Sequence, residues 1–308
     1  MFTKREIISM RDFSREEINY VLKRAEELEV YALGKRSDLL GGKIMANLFF
    51  EPSTRTRLSF ETAMKRLGGE VLNLGSEEAS SIVKGETLAD TVRVISNYCD
   101  VLVLRHPKQG AARMAAEYSS VPVINAGDGA GHHPTQTLID LYTISRESHL
   151  DGINIALVGD LKYGRTVHSL AYALALYDTN IWLVSPDQLR MPDSIKSDLK
   201  SLGIEVIETS DIADVIDEVD VLYVTRIQKE RFPDPAEYRK VADSYRISID
   251  LLKEAKENLI IMHPLPRVTE IDVEVDSSKY AKYFKQTFYG VPIRMALLTL
   301  LLEGRDEQ

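Results

Sequence analysis

Asn47-Leu48-Phe49-Phe50-Glu51-Pro52-Ser53-Thr54-Arg55-Thr56-Arg57 runs directly into Leu58-Ser59-Phe60-Glu61-Thr62-Ala63-Met64-Lys65-Arg66-Leu67-Gly68-Gly69. The apolar residues ahead of Pro52 suit a short buried strand, and Phe60, Ala63, Met64 and Leu67 recur at the spacing of one helix face. Ser53 is a favourable N-cap and Gly68 a favourable stop. The stretch therefore reads as strand, turn and a helix from Thr54 whose free N–H groups look back over the turn.

The charges at this helix start work against stability alone. A first turn carries about half a positive charge and favours Asp or Glu by roughly 0.3 to 1 kcal/mol each, yet this one carries Arg55 and Arg57. Free N–H groups, the hydroxyls of Ser53, Thr54 and Thr56, and an arginine converging on one point are the parts of a phosphate site. The alternative is that both arginines reach solvent or pair with Glu51 and Glu61.

Outward from this unit the chain keeps alternating strands and helices, which predicts an α/β protein. Residues 10–33 read as helical, with Ser14 as N-cap and Glu17 at the capping-box position. Strands are expected at 43–50, 70–74, 101–104, 118–124, 152–158, 180–184, 205–207, 220–225 and 259–262, and an apolar helix at 291–302. The polar stretches 75–85 and 228–240 lack an apolar face and read as surface loops. A new run of strands and helices starts near 150, so two lobes are expected, each a mostly parallel sheet flanked by helices. The expected division is 1–133 plus 289–308 for the first lobe, 134–149 as a connecting helix, and 150–288 for the second.

The 308 residues suffice for two cores, and 44% hydrophobic with 28% charged residues is an ordinary globular composition. A net charge of -9 argues against a general nucleic-acid binder while allowing a basic cleft for small anions. The one cysteine, Cys99, cannot form an intrachain disulfide and is expected to pack in the core. No signal-peptide pattern or membrane-length apolar run stands out, so a cytoplasmic protein is expected, with no membrane partner. No His or Cys spacing suits structural zinc, and no Ser-His-Asp or Cys-His nucleophile is evident. Neither a cofactor nor a metal is expected.

Two glycine-rich stretches imitate nucleotide sites. Asn125-Ala126-Gly127-Asp128-Gly129-Ala130-Gly131 lacks the last glycine of G-x-G-x-x-G, and Pro134 follows closely. Gly159-Asp160-Leu161-Lys162-Tyr163-Gly164-Arg165-Thr166 departs from the P-loop at Arg165, where a lysine belongs; the planar arginine fork suits a carboxylate. His133 stands at a helix start with Pro134 at the first helical position, a place where the positive helix end favours a neutral imidazole.

Phe49 to Glu61 resembles the carbamoyl-phosphate signature of the aspartate and ornithine carbamoyltransferases, and the resemblance extends over nearly the whole chain. Ser80-Ser81-Ile82-Val83-Lys84 is similar to the loop by which family members lend a serine and a lysine to a neighbouring subunit, with Ser80 the better match. His133-Pro134-Thr135-Gln136 is similar to the carbamoyl-binding element, and the Gly159 to Thr166 stretch to an aspartate-binding element.

The family implies direct transfer of a carbamoyl group to aspartate, in de novo pyrimidine biosynthesis, by a homotrimer with shared sites and with room for separate regulatory chains. By that resemblance Ser53, Thr54, Arg55 and Thr56 hold the phosphate, with Arg55 easing its departure. Thr56, Arg105 and His133 address the carbamoyl oxygen; Gln136 and the carbonyls of Leu265 and Pro266 recognise its amide. Arg165 takes the α-carboxylate of aspartate, Arg226 with Gln228 its side-chain carboxylate, and Ser80 and Lys84 arrive from the neighbour. Arg55, Thr56, Lys84, Arg105 and His133 are the expected catalytic set. An ornithine-using member resembles a different pattern, with a Ser-Met-Gly segment and a late His-Cys-Leu-Pro; here the late motif is His263-Pro264-Leu265-Pro266-Arg267.

Independently of the resemblance, the stretch from Pro52 to Arg57 and the residues Arg105, Arg226 and His263 each follow an apolar strand, and Arg165 follows one across a turn. In open α/β sheets ligands bind beyond the carboxyl ends of strands, so these residues are expected to converge on a substrate set with several negative charges.

Overall fold

The structure, a computed structural model, describes residues 2, 4–74, 85–129, 131–227, 234, 241 and 245–303. The loops expected at 75–85 and 228–240, and with them Ser80, Lys84 and Gln228, lie outside these residues apart from Gly85 and Asp234. The chain forms two compact units, one of residues 1–139 with 287–308 and the other of residues 140–286. Among the described residues no helix is long and apolar enough to cross a membrane.

The first unit is built on four parallel strands in the order β2-β1-β3-β4: β1 (Ile44–Phe49), β2 (Glu70–Leu74), β3 (Val101–His106) and β4 (Val123–Asp128). Around them lie α1 (Arg15–Ala32), α2 (Thr54–Arg66), α3 (Leu88–Ile95) and α4 (Ala111–Tyr118). Strands β1 and β3 are buried along nearly their whole length, as continuous apolar runs in a parallel sheet should be. Ala46, Leu48, Leu102, Leu104, Val92 and Val123 pack into one core cluster, with the half-buried Cys99 against it. Burial pushes the Cys99 thiol up to about 11, the mark of a packed rather than a reactive cysteine.

Local grammar explains the ends of α1 and α2. Ser14 and Glu17 form the expected capping box on α1. At the far end of α2, Gly68 takes a left-handed φ of 88°; its N–H bonds Lys65 O while that of Gly69 bonds Met64 O, a Schellman closure. From the same unit Arg294 lies under α2, its guanidinium 4.8 Å from the Phe60 ring centroid.

The second unit has five parallel strands in the order β7-β6-β5-β8-β9: β5 (Ile153–Val158), β6 (Thr179–Val184), β7 (Val206–Thr209), β8 (Val221–Val224) and β9 (Ile260–Met262). Helices α6 (Arg165–Leu174) and α7 (Asp193–Ser201) accompany it. Two further helices contain the points where the chain passes from one unit to the other: α5 (Pro134–Glu147), divided after Ile139, and α8 (Tyr283–Leu302), divided after Gln286.

Three expectations need correction. Tyr118 ends α4 rather than opening a strand, and β4 starts five residues later and absorbs Asn125 to Asp128 from the supposed glycine-rich loop. The alanines at 111, 112, 115 and 116 favour helix up to Tyr118, and side-chain hydrogen bonds of Asn125, described below, hold the polar residues inside a buried strand. Helix α8 begins at Tyr283, eight residues before the apolar run, and carries Pro292 in its interior; its early turns are fixed by burial of Tyr283, Gln286 and Tyr289. Finally, Ser53 is the N-cap of α2, but its side chain makes no capping hydrogen bond.

Candidate active site

Both sheets reverse their strand order at one point. In the first unit β1 sends the chain outward to β2, and the chain then returns to β3 on the other side of β1. In the second, β5 leads to β6 and β7 before the chain returns to β8. Turns beyond the carboxyl ends of such strand pairs splay apart and leave room for a ligand. The arginines singled out by sequence lie in those turns: Arg55 after β1 and Arg105 at the end of β3; Arg165 after β5 and Arg226 after β8.

In the first unit Phe49 pairs in register with Arg105, and Phe50 N–H bonds Arg105 O at 2.9 Å, so the signature turn is pinned beside β3. Arg105 is 8% exposed; its Nη1 donates to Ala126 O at 3.1 Å and its Nη2 lies 3.4 Å from Glu51 Oε2. Among the described residues that ion pair lacks hydrogen-bond geometry at the Glu51 oxygen, and Arg105 Nε has no hydrogen-bond partner. A buried arginine left with an unmet donor is suited to receiving an acceptor from a ligand.

Burial lowers the affinity of Arg105 for its proton; Glu51 opposes this, and the neighbouring charge of Arg55 adds to it. Arg55 is exposed as a whole residue, yet partial enclosure of its guanidinium also lowers its pKa. Both stay charged at neutral pH, since arginine starts from so high a value. The site thus concentrates like charge around the uncapped start of α2, where Thr56 is buried and the first turn holds no acid.

Asp128, at the end of β4, organises the approach to α5. Its Oδ1 accepts from Asn125 Nδ2 (3.2 Å) and His132 N–H (2.8 Å), and its Oδ2 from Gly110 N–H (2.8 Å). Asn125 Nδ2 also reaches Ile8 O at 3.0 Å. This network sets His133, buried, immediately ahead of Pro134; His133 O accepts from the N–H groups of Gln136 and Thr137, and its Nδ1 lies 3.4 Å from Thr135 Oγ1. Gln136, half-buried, sits in the first turn.

The P-loop imitation in the second unit has a structural cause. Gly159 has φ 110° and a Cβ there would stand 2.3 Å from Thr225 O; at Gly164 one would stand 2.4 Å from Asp160 O. Both glycines are required by close backbone approach, not by a nucleotide. Asp160 N–H donates to Thr225 Oγ1 (3.2 Å), which in turn donates to Val158 O (3.0 Å), and Asp160 Oδ1 accepts Tyr163 N–H (2.9 Å). The turn carrying Arg165 is thereby fastened to the residue preceding Arg226. Both arginines are half-buried.

After β9, His263 Nδ1 accepts Leu265 N–H at 2.7 Å and its Nε2 meets Glu270 Oε1 at 2.7 Å. A lone pair is needed at Nδ1, so the imidazole is neutral with its proton on Nε2. Burial would push the Glu270 carboxyl up, but hydrogen bonds from His263 and from backbone N–H groups outweigh it and hold the carboxyl below the usual range. Leu265 takes φ 55° ahead of a cis bond to Pro266. The end of β3 repeats the device: His106 Nδ1 accepts Lys108 N–H at 2.9 Å. The pairing of Glu51 with Arg105, the roles of Asp128 and Glu270 and this paired His-Pro-X turn were not anticipated from sequence, although two His-Pro dipeptides after apolar runs were a signal for the last.

Residues 5–146 match the model described as "Aspartate/ornithine carbamoyltransferase, carbamoyl-P binding domain", and residues 151–301 the model for the "Asp/Orn binding domain". The chain belongs to the aspartate/ornithine carbamoyltransferase family. Within that family it is 67% identical to the aspartate carbamoyltransferase catalytic subunit of Methanothrix thermoacetophila over 98% of this chain and all of that one. It is 59% identical to the Thermococcus kodakarensis catalytic subunit over 97% of both. Among solved structures, the catalytic subunit of M. jannaschii aspartate transcarbamoylase superposes with a TM-score of 0.92 at 57% identity, covering 99% of this chain and 100% of that one. Trypanosoma cruzi aspartate transcarbamoylase in complex with carbamoyl phosphate and aspartate does so with 0.92 at 44% identity, covering 98% of each. The carbamoyl-phosphate model of the family spans the signature turn, Arg105 and the start of α5; the Asp/Orn model spans Arg165, Arg226 and His263.

Proposed function

We propose that this protein transfers the carbamoyl group of carbamoyl phosphate to the amine of L-aspartate, giving N-carbamoyl-L-aspartate and phosphate, a step of de novo pyrimidine biosynthesis. The observation that carries it is the placement of Arg55 and Arg105 at the reversal point of one sheet and of Arg165 and Arg226 at that of the other. The names of the relatives and the ligands of the T. cruzi structure support aspartate over ornithine. So does charge: Arg165 and Arg226 offer two forks to a dicarboxylate, whereas Arg226 would repel the cationic side chain of ornithine.

In this reading the aspartate amine attacks the carbamoyl carbon, a C–N bond forms, and the tetrahedral oxyanion collapses with cleavage of the C–O bond to phosphate. The phosphate leaves toward Ser53, Thr54, Arg55 and Thr56. Thr56, Arg105 and His133 stabilise the oxyanion, and Gln136 with the carbonyls of Leu265 and Pro266 takes the amide. Arg165 receives the α-carboxylate, and Arg226 with Gln228 the side-chain carboxylate. Positioning and preset donors supply the rate, because no residue of the set need form a covalent bond. Release of phosphate from carbamoyl phosphate that requires aspartate and is not supported by ornithine is the expected result; equal release with either amino acid, or with none, overturns it.

The active unit is a ring of three chains in which Ser80 and Lys84 serve the neighbour's site. The likeness of the Ser80 to Lys84 loop to the family's lending loop supports this. The relatives' designation as catalytic subunits supports assembly with further chains. Trimers of Lys84→Ala and of Arg55→Ala should each be nearly inactive, while scrambled hybrids regain about one intact site per ring by the geometry of closed cyclic symmetry. Exchanged hybrids that regain nothing would exclude a shared site.

A further inference from the structure

Within the second unit a chain of buried hydrogen bonds connects β8, which leads into Arg226, with the turn that follows β9. Asp140, on α5, is 0% exposed. Gln286 Nε2 donates to its Oδ1 at 2.7 Å, and the Tyr223 hydroxyl, from β8, donates to its Oδ2 at 2.9 Å. Gln286 Oε1 in turn accepts His263 N–H at 3.0 Å. On the other side Tyr223 belongs to β8, three residues ahead of Arg226. Tyr223, Gln286 and His263 are buried with Asp140.

The polarity of this chain is fixed at every link. A backbone N–H can only donate, so Gln286 must turn its oxygen to His263 and its amino group to Asp140. Asp140 must then accept at Oδ1, and at Oδ2 it accepts from the tyrosine. A carboxylate at 140 is the one junction that lets both arms point inward, and burying so polar a group is costly unless every lone-pair direction is answered. Asp140 and Gln286 are also the first and last residues of the unit, so the junction closes it where the chain enters and leaves.

We propose that Asp140 is a positioning residue for the site residues of the second unit: through Tyr223 it holds the end of β8 that leads into Arg226, and through Gln286 it orients the His263 turn. This rests on the assignment of the second unit to aspartate.

Polarity supplies the test. Asp140→Asn keeps the volume but turns a donor toward either Tyr223 or Gln286, and Gln286→Glu sets two carboxyl groups against each other. In the double variant the new amide at position 140 donates its N–H to the new carboxylate at position 286. That carboxylate still accepts His263 N–H, and the amide oxygen at 140 accepts from Tyr223, so all links are restored. Each single variant should raise the KM for aspartate by about tenfold, the scale of one lost buried hydrogen bond. The double variant should return to within about threefold of the parent, and calorimetric affinity for carbamoyl phosphate, whose amide the same turn takes, should weaken and recover in the same order. Ile155→Val, in the buried β5 and away from the chain, serves as a stability control that lowers the melting temperature and leaves that KM unmoved.

An unmoved KM in Asp140→Asn, a shift that Ile155→Val reproduces at equal destabilisation, or a double variant no better than the singles would each overturn the inference. Parent enzyme lacking aspartate-dependent phosphate release would instead sink the substrate assignment, and the inference with it.

Discussion

Helices α1 and α2 both begin at a serine N-cap, and they use it in opposite ways. Ser14 accepts Glu17 N–H while Glu17 reaches back to Ser14 N–H, with Glu16 and Glu17 in the first turn. Ser53 makes no capping bond, and the first turn it opens has no acid and contains Arg55. The start of α6 resembles the second case: Gly164 caps without a side chain, no acid follows, and Arg165 is the first helical residue. A helix start that satisfies its own donors contributes to stability; one that leaves them open and adds positive charge is prepared for an anion. The starts of α2 and α6 each follow a strand at which their sheet reverses its order.

The strongest way to break this contrast is to remove a charge from an open start. Arg55→Ala should lower kcat by about 10² to 10³, the loss typical of one preset donor to a developing charge, with the melting temperature little changed. Steady-state rates at saturating substrates read it, and a stability loss without a rate loss would place Arg55 with the structural helix starts. Arg165→Ala should act on the other substrate, weakening aspartate by about 2 kcal/mol or more while sparing carbamoyl phosphate. Calorimetry with each ligand separates the two.

Exchanging serine for alanine sharpens the comparison on a smaller scale. Ser14→Ala should cost about 1 kcal/mol of stability and leave both KM values alone. Ser53→Ala should cost at most a few tenths and weaken carbamoyl phosphate. Chemical denaturation and kinetics on the same two variants give the answer, and equal stability losses would erase the distinction.

Acid offers a last, smallest probe. A backbone N–H and the Ser14 side chain hold the Glu16 carboxyl below its usual value, against a weaker effect of burial. A depressed carboxyl stabilises the folded state above its unfolded pKa, near 4.3, and that contribution fades as pH falls through the lower folded value. Amide exchange at the start of α1 should therefore lose protection in acid, whereas the start of α2, with no acid to protonate, should not follow it.

Much of the molecule was legible in the order of its residues. Continuous apolar runs located most of the strands, because a strand covered on both faces needs no alternation. The run 101–104 is buried as read, although β3 continues through Arg105 to His106. Reading failed where a polar strand is held by side chains distant in sequence. Asn125 to Asp128 looks like loop until Asn125 is seen bonded to Ile8 O, and α8 looks short until Tyr283 and Gln286 are seen buried.

The sequence by itself determined the two α/β units, the open helix starts and the likeness to the family, since each depends on neighbours within a few positions. Tertiary structure alone decided what surrounds those residues. Glu51 lies 3.4 Å from Arg105, Glu270 bonds His263, and Gln286 bonds Asp140 from 146 positions away. Such partners carry no local signature, because a buried polar group is answered by whichever chain segment the packing brings to it.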